Sequence, residues 1–286
     1  MTNNIDQQSI AVSEIPETII EAGKSEKNYW KDLYRYRELF LFLSWRDVLV
    51  RYKQTVIGII WAIIRPVLIM IVFTIIFGNI AKLPSNGIPY PILVYAAMLP
   101  WQFFSTSLTS GSMSLIGNAG MISKIYFPRL ILPASAIIVN LFDFLIAFSI
   151  LIVLMFYYQY FPTLKIMVLP LFLLLAIIAA LGASFWFAAL NVKYRDIKYI
   201  VPFIVQLGLY ISPVGFNSSV IPEKWRLLYS INPMVSVIDG FSWALLGKDF
   251  DLYLPGFILS ALLVLIVFLS GLWYFRKTER TFADVI

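Results

Sequence analysis

Apolar residues in this chain run in long blocks, with polar residues gathered between them. The blocks cover about 56–77, 92–116, 130–160, 165–190 and 254–274, with a shorter one at 199–212. Roughly 20 apolar residues carry a helix across a bilayer. The pattern predicts an all-α integral membrane protein with six transmembrane helices. The 130–160 block exceeds one crossing, so its helix must tilt or project.

The stretches between the blocks add detail. Residues 1–28 are polar and predict a mobile tail; 56–286 form the six-span domain. Residues 29–55 mix aromatics, charges and a Leu39–Leu43 run, which suits an amphipathic helix lying in the membrane interface. Arg35, Arg37, Glu38, Arg46 and Asp47 do not share one helical face, and a break near Ser44 would reconcile them. Arg46, Arg51 and Lys53 suit anionic headgroups, at about 1 kcal/mol each. Asp47 and Arg51 have the spacing of a helical ion pair. Arg65 lies inside the first span, so it must face protein or snorkel toward the headgroups. Pro66 beside it removes a helix hydrogen bond and predicts a bend.

Further along, the second span carries Trp101-Gln102-Phe103-Phe104-Ser105-Thr106-Ser107, then Thr109 and Ser110. Its hydroxyls suit either helix packing or a wall facing a polar passage. Residues 117–128 predict about two helical turns lying across the membrane surface. Asp143, inside the third span, should face protein or water near Asn140. Between 213 and 247 the chain is punctuated by Pro213, Gly215, Pro222, Pro233, Gly240 and Gly247. Apolar pieces at 214–221 and 235–246 are too short to span and predict re-entrant outside helices before the last span.

Composition narrows the function. The 286 residues are 60% hydrophobic and 13% charged, and the mean hydropathy is +0.83. Cysteine and histidine are absent, which removes disulfides, a cysteine-ligated metal and the usual general base. The net charge of +6 invites a nucleic-acid partner, yet the basic residues cluster beside the spans. Positive-inside bias explains that without nucleic acid. Of the 22 basic residues only Lys82, Lys165, Lys224, Arg226 and Lys248 fall outside when both termini are cytoplasmic. The protein is expected to insert through its own spans, with no cleaved signal peptide.

No catalytic constellation emerges. Gly23-Lys24-Ser25 matches the tail of a phosphate-binding loop, but Thr18 stands where that loop needs its first glycine. Asp249-Phe250-Asp251 has a metal-binding spacing used by glycosyltransferases, but it falls outside. Asp143 and Arg65 alone support an ion-coupled carrier poorly. The chain is therefore expected to be a transport subunit without an energy source of its own, which implies a partner.

The stretch Arg46-Asp47-x3-Arg51-Tyr52-Lys53-Gln54-Thr55-x2-Gly58-x2-Trp61-Ala62-x3-Pro66 resembles polysaccharide-exporting ABC transporter permeases of the second exporter type, the O-antigen exporters above all. Met121-Ile122-Ser123-Lys124 and Asn232-Pro233 add to the resemblance, which covers nearly the whole chain. It implies a homodimer with two copies of a separate ATPase. ATP and Mg would bind that partner, with no cofactor or metal on this chain. The cargo would be a lipid-linked glycan, with a teichoic acid or capsular polymer as the alternative. It also implies a coupling helix at about 117–128, where Met121, Ile122, Ser123, Lys124 and Tyr126 would meet the ATPase. Gate helices would lie outside at about 213–247, and Arg46, Arg51, Lys53 and Arg65 would stand at the membrane interface. Aromatic rings suit a sugar's apolar face and polar rim. Trp61, Tyr95, Trp101, Phe103, Phe104 and Tyr210 are the candidate passage residues.

Overall fold

The computed structural model describes residues 29–53, 56–85, 87–247 and 252–282, with the backbone course alone at 56–59, 61 and 62. The 1–28 tail with its Gly23-Lys24-Ser25, the pair Gln54-Thr55, the Asp249-Phe250-Asp251 triplet and the Trp61 side chain lie outside that description. Every regular element among the described residues is helical. Four segments are long and apolar enough to cross a membrane: Ile63–Ile80, Ile131–Tyr157, Leu164–Lys193 and Leu254–Thr281.

α1 (Tyr29–Arg35) and α2 (Arg37–Lys53) come first. The interruption falls at Tyr36, not near Ser44. Ser44 leaves the helix unbroken because its hydroxyl donates 2.8 Å to the Phe40 carbonyl, one turn back. α3 (Val56–Phe73) runs through Pro66 and passes into a π-helical stretch, Thr74–Ile80. α4 (Tyr90–Gly117) is 28 residues long. Its serines, threonines and Gln102 make it less apolar than the four segments above.

α5 (Ala119–Ile122) is a single turn before α6 (Ile131–Tyr157). α6 stops short of residue 160, where Gln159 takes a left-handed φ of 54°. α7 (Leu169–Lys193) and α8 (Ile197–Ile211) follow. The 214–221 piece holds only a 3-10 turn, Ser218–Val220, and the helix predicted there starts later, as α9 (Glu223–Tyr229). Pro222 fixes the backbone just before that start and Glu223 suits a helix N-terminus. α10 (Pro233–Leu246) and α11 (Leu254–Thr278) complete the order.

α7 is the central column, packed between α4 and α11, while α6 lies mainly against α4 and also touches α7. Small residues allow the closest crossing. A Cβ on Gly182 of α7 would lie 2.6 Å from the Phe268 backbone of α11, and one on Gly271 would strike the Gly182 carbonyl. Helices in lipid gain from such close approach, since lipid already solvates apolar side chains. α10 wedges against α4, α7 and α11. Asn232 caps it, accepting from the Met234 amide at 3.1 Å, with Pro233 in the first turn. Its far end closes at Gly247, whose φ of 82° a side chain would oppose. There Lys165 donates to the Gly247 carbonyl at 3.2 Å and Tyr160 to that of Leu246.

Candidate functional site

The turn between α4 and α6 builds from Asn118. Its side chain donates to the Ser114 carbonyl at 2.8 Å, and its own carbonyl accepts from Met121 and Ile122. α5 is one turn rather than the two predicted, because nothing continues the ladder beyond the bonds of Lys124 and Ile125 to Met121. Ile122 and Phe127 are buried and anchor the turn to the bundle. Met121 and Tyr126 are half-buried, while Ser123, Lys124 and Ile125 project. Ile125 was not among the sequence candidates, and Ile122 is an anchor rather than an exposed docking residue.

Immediately after this turn the chain is knotted to both ends of the described polypeptide. The Arg129 amide donates to Glu279 Oε1 at 2.7 Å, and the Arg129 guanidinium donates to the Glu279 carbonyl. Tyr29 of α1 donates to the same carboxylate at 3.3 Å. Burial, then the Glu279 charge, pushes the Tyr29 phenol up, so it stays a donor. Arg276 lies over the Tyr29 ring at 4.3 Å. Arg129 and Glu279 are 150 positions apart, which hid this knot from local spacing.

A second polar seam joins α2 to the bundle. Arg51 pairs with Asp143 of α6 at 2.8 Å and donates to Asn140 Oδ1 at 3.2 Å. Tyr52 donates to the other Asp143 oxygen. Asn140 passes the contact on, donating to Ser110 of α4 at 2.6 Å. Asp47 instead meets its neighbour Arg46 at 2.7 Å. The placement of Asp143 beside Asn140 and facing protein matches the sequence reading. Lys53 and Arg65 are exposed.

The passage candidates separate. Tyr95 and Phe103 lie wholly in the core; the Tyr95 hydroxyl donates to Ala147 and the Phe103 ring meets Phe144 at 5.8 Å. Trp101 is buried against α8, where a Cβ on Gly208 would strike its ring. Phe104 is half-buried, and Tyr210 is 67% exposed. The α4 hydroxyls mostly turn inward on their own helix: Ser105, Thr106, Thr109, Ser110, Ser112 and Ser114 each donate to a carbonyl three or four residues back. That is packing chemistry more than a polar wall. α8 carries exposed aromatics in a row. Tyr199, Phe203 and Tyr210, with Leu207, share one face by helical spacing. That periodicity was present in the sequence.

Residues 38–246 match the ABC-2 type transporter family. The chain belongs to that family. The match takes in nearly all of α2, the seam of Arg51, Asp143, Asn140 and Ser110, the α4–α6 turn with Arg129, and α10, while Tyr29 and Glu279 lie outside it. Two similar proteins are O-antigen export system permease proteins RfbA. The one from Klebsiella pneumoniae is 30% identical over 258 residues, 87% of this chain and 95% of that protein. The one from Myxococcus xanthus is 29% identical over 214 residues, 74% of this chain and 81% of that protein. The polysialic acid transport protein KpsM of Escherichia coli is 24% identical over 252 residues, 84% and 92% of the two chains. An ABC-2 transporter permease is a transport subunit, which fits a bundle with four long apolar segments.

Proposed function

We propose that this chain is the membrane-spanning permease subunit of an ATP-driven exporter. It moves a lipid-linked, O-antigen-like polysaccharide from the cytoplasmic to the outer face of the inner membrane. The observation that carries this reading is the near full-length likeness to an O-antigen export permease, 95% of that protein at 30% identity. The likeness to a polysialic acid transport protein favours a capsular polymer as the second reading; a teichoic acid fits the same architecture.

In this reading α4 and α8 join the four long apolar segments as six spans, with both termini cytoplasmic. α1 and α2 lie in the interface, and α9 and α10 stand on the outer side as the gate. Ser123, Lys124 and Ile125 project from a turn anchored by Ile122 and Phe127, which suits contact with an ATPase. The ATPase is a separate chain, present in two copies, and holds ATP and Mg. The permease is a homodimer. Its passage forms between two copies along the exposed faces of α3 and α8; Phe73 at the end of α3 and Phe77 of the π-helical stretch lie over Gly215, just beyond α8. The aromatic face of α8 offers sugar rings a sliding surface without fixed hydrogen-bond registry.

Deleting the gene tests this. Surface polysaccharide should vanish while lipid-linked polymer accumulates inside, and a plasmid copy should restore export. Normal surface polymer in the deletion strain would overturn the reading.

A further inference from the structure

α1 and α2 do not close completely onto the bundle. Between them and α6, α7 and α11 lies a groove of about 530 Å³. That is within the roughly 300–1,000 Å³ of small-molecule pockets. One wall comes from Trp30, Tyr34 and Arg37, at positions i, i+4 and i+7 and so on one face across the Tyr36 interruption. The opposite wall is Ala134, Leu181 and Phe268 from three different helices. Apart from Arg37 and the polar tips of Trp30 and Tyr34, the lining is apolar, so water would find almost no partners in it.

The groove has depth and direction. Basic residues mark one end: Arg37 lies in the lining and Arg276 packs over the Trp30 ring at 5.6 Å. From that level the groove runs toward the bundle interior. Phe268 precedes Arg276 by about 12 Å of helix and Leu181 precedes Lys193 by about 18 Å, at 1.5 Å per residue. A cationic rim at headgroup depth above an apolar slot of this length is the shape of an anionic phospholipid. The acyl chain would lie between Ala134, Leu181 and Phe268, and the phosphate would meet Arg37. Arg37 already sits over the Tyr34 ring at 4.7 Å, which holds the guanidinium at the mouth. The 28 residues before Tyr29 carry Asp6, Glu14, Glu17, Glu21 and Glu26 and suit a slot at hydrocarbon depth poorly.

We infer that this groove binds one anionic bilayer phospholipid, which wedges the interfacial helices against the spans and fixes their position. The inference rests on the chain lying in a membrane and is independent of the cargo it moves.

Native mass spectrometry of the full-length chain tests it. The detergent-purified protein is titrated with phosphatidylglycerol and, separately, with phosphatidylcholine of the same acyl chains. Wild type should retain one phosphatidylglycerol in preference to phosphatidylcholine. Ala134→Trp fills the slot and should lose that adduct. Arg37→Gln, a change at an exposed side chain that leaves the core untouched, should weaken it about fivefold, the worth of one basic residue at the headgroup. Thermal midpoints of both variants check that the bundle is intact. Equal retention by wild type and Arg37→Gln, no preference for phosphatidylglycerol, or its displacement by a polyprenyl phosphate would each overturn the inference. These readouts do not depend on export, so an error in the assigned cargo leaves them unchanged.

Discussion

Ile122 and Lys124 are two residues apart and face opposite ways, one into the bundle and one out of it. Substitutions at the two should therefore separate stability from coupling. Ile122→Ala should cost about 2–5 kcal/mol of stability, as for other buried large-to-small changes, and lower the thermal midpoint in detergent. Lys124→Glu with Ile125→Asp should leave that midpoint unchanged while reducing polymer at the cell surface. Normal export by the double variant would place the ATPase contact elsewhere. Asp239 of α10, a helix too short to span, offers a test by pH. Burial pushes its carboxyl up to about 7, against the opposing pull of the Ser218 hydroxyl and Arg226. Folding thus favours the protonated form. Its stabilising share is complete below the unfolded value near 3.8 and is lost as pH rises through about 7. Wild type should melt at a higher temperature at pH 5 than at pH 8, and Asp239→Asn should narrow that difference.

At the scale of elements, the long spans were legible because a 20-residue apolar block has few alternatives in a chain this hydrophobic. The short elements were not. α5 is closed by backbone bonds confined to residues 118–125, the Tyr36 interruption keeps the bonds of Tyr36 to Asp32 and of Phe40 to Tyr36, and α9 starts where a proline permits rather than where apolar residues cluster. Residue partners were legible only when close in sequence. Asn140 and Asp143 are neighbours on α6, but Arg51 reaches them from 89 or more positions away. Tyr95 and Phe103 look like passage aromatics in a linear reading because helix α4 is packed on nearly all sides, which composition does not reveal. Two element-level outcomes follow. Gly182→Leu should block the α7–α11 crossing and prevent accumulation of folded protein, read by size-exclusion profile. The Arg51–Asp143 pair, with Arg51 45% exposed, should show a coupling of about 0.5–1 kcal/mol in a double-mutant cycle.

At the scale of the molecule, polar contacts collect where elements distant in sequence must hold one another. Arg129, Glu279 and Tyr29 bind the α4–α6 turn to both ends of the described chain. Arg51, Asp143, Asn140 and Ser110 bind α2 to α6 and α4. In the proposed assembly a push delivered at Lys124 would thus reach α1, α2 and α11 through these contacts, while α3 and α8, with their exposed faces, would shift against a second copy. Under the proposed function, the chain offers a route across the membrane and leaves the energy to a separate ATPase. The most direct test is reconstitution in liposomes with lipid-linked polysaccharide, with and without the separate ATPase. The account predicts no accumulation of glycan across the bilayer by the permease alone, and ATP-dependent accumulation once the ATPase is present. Uphill transport by the permease alone would contradict it.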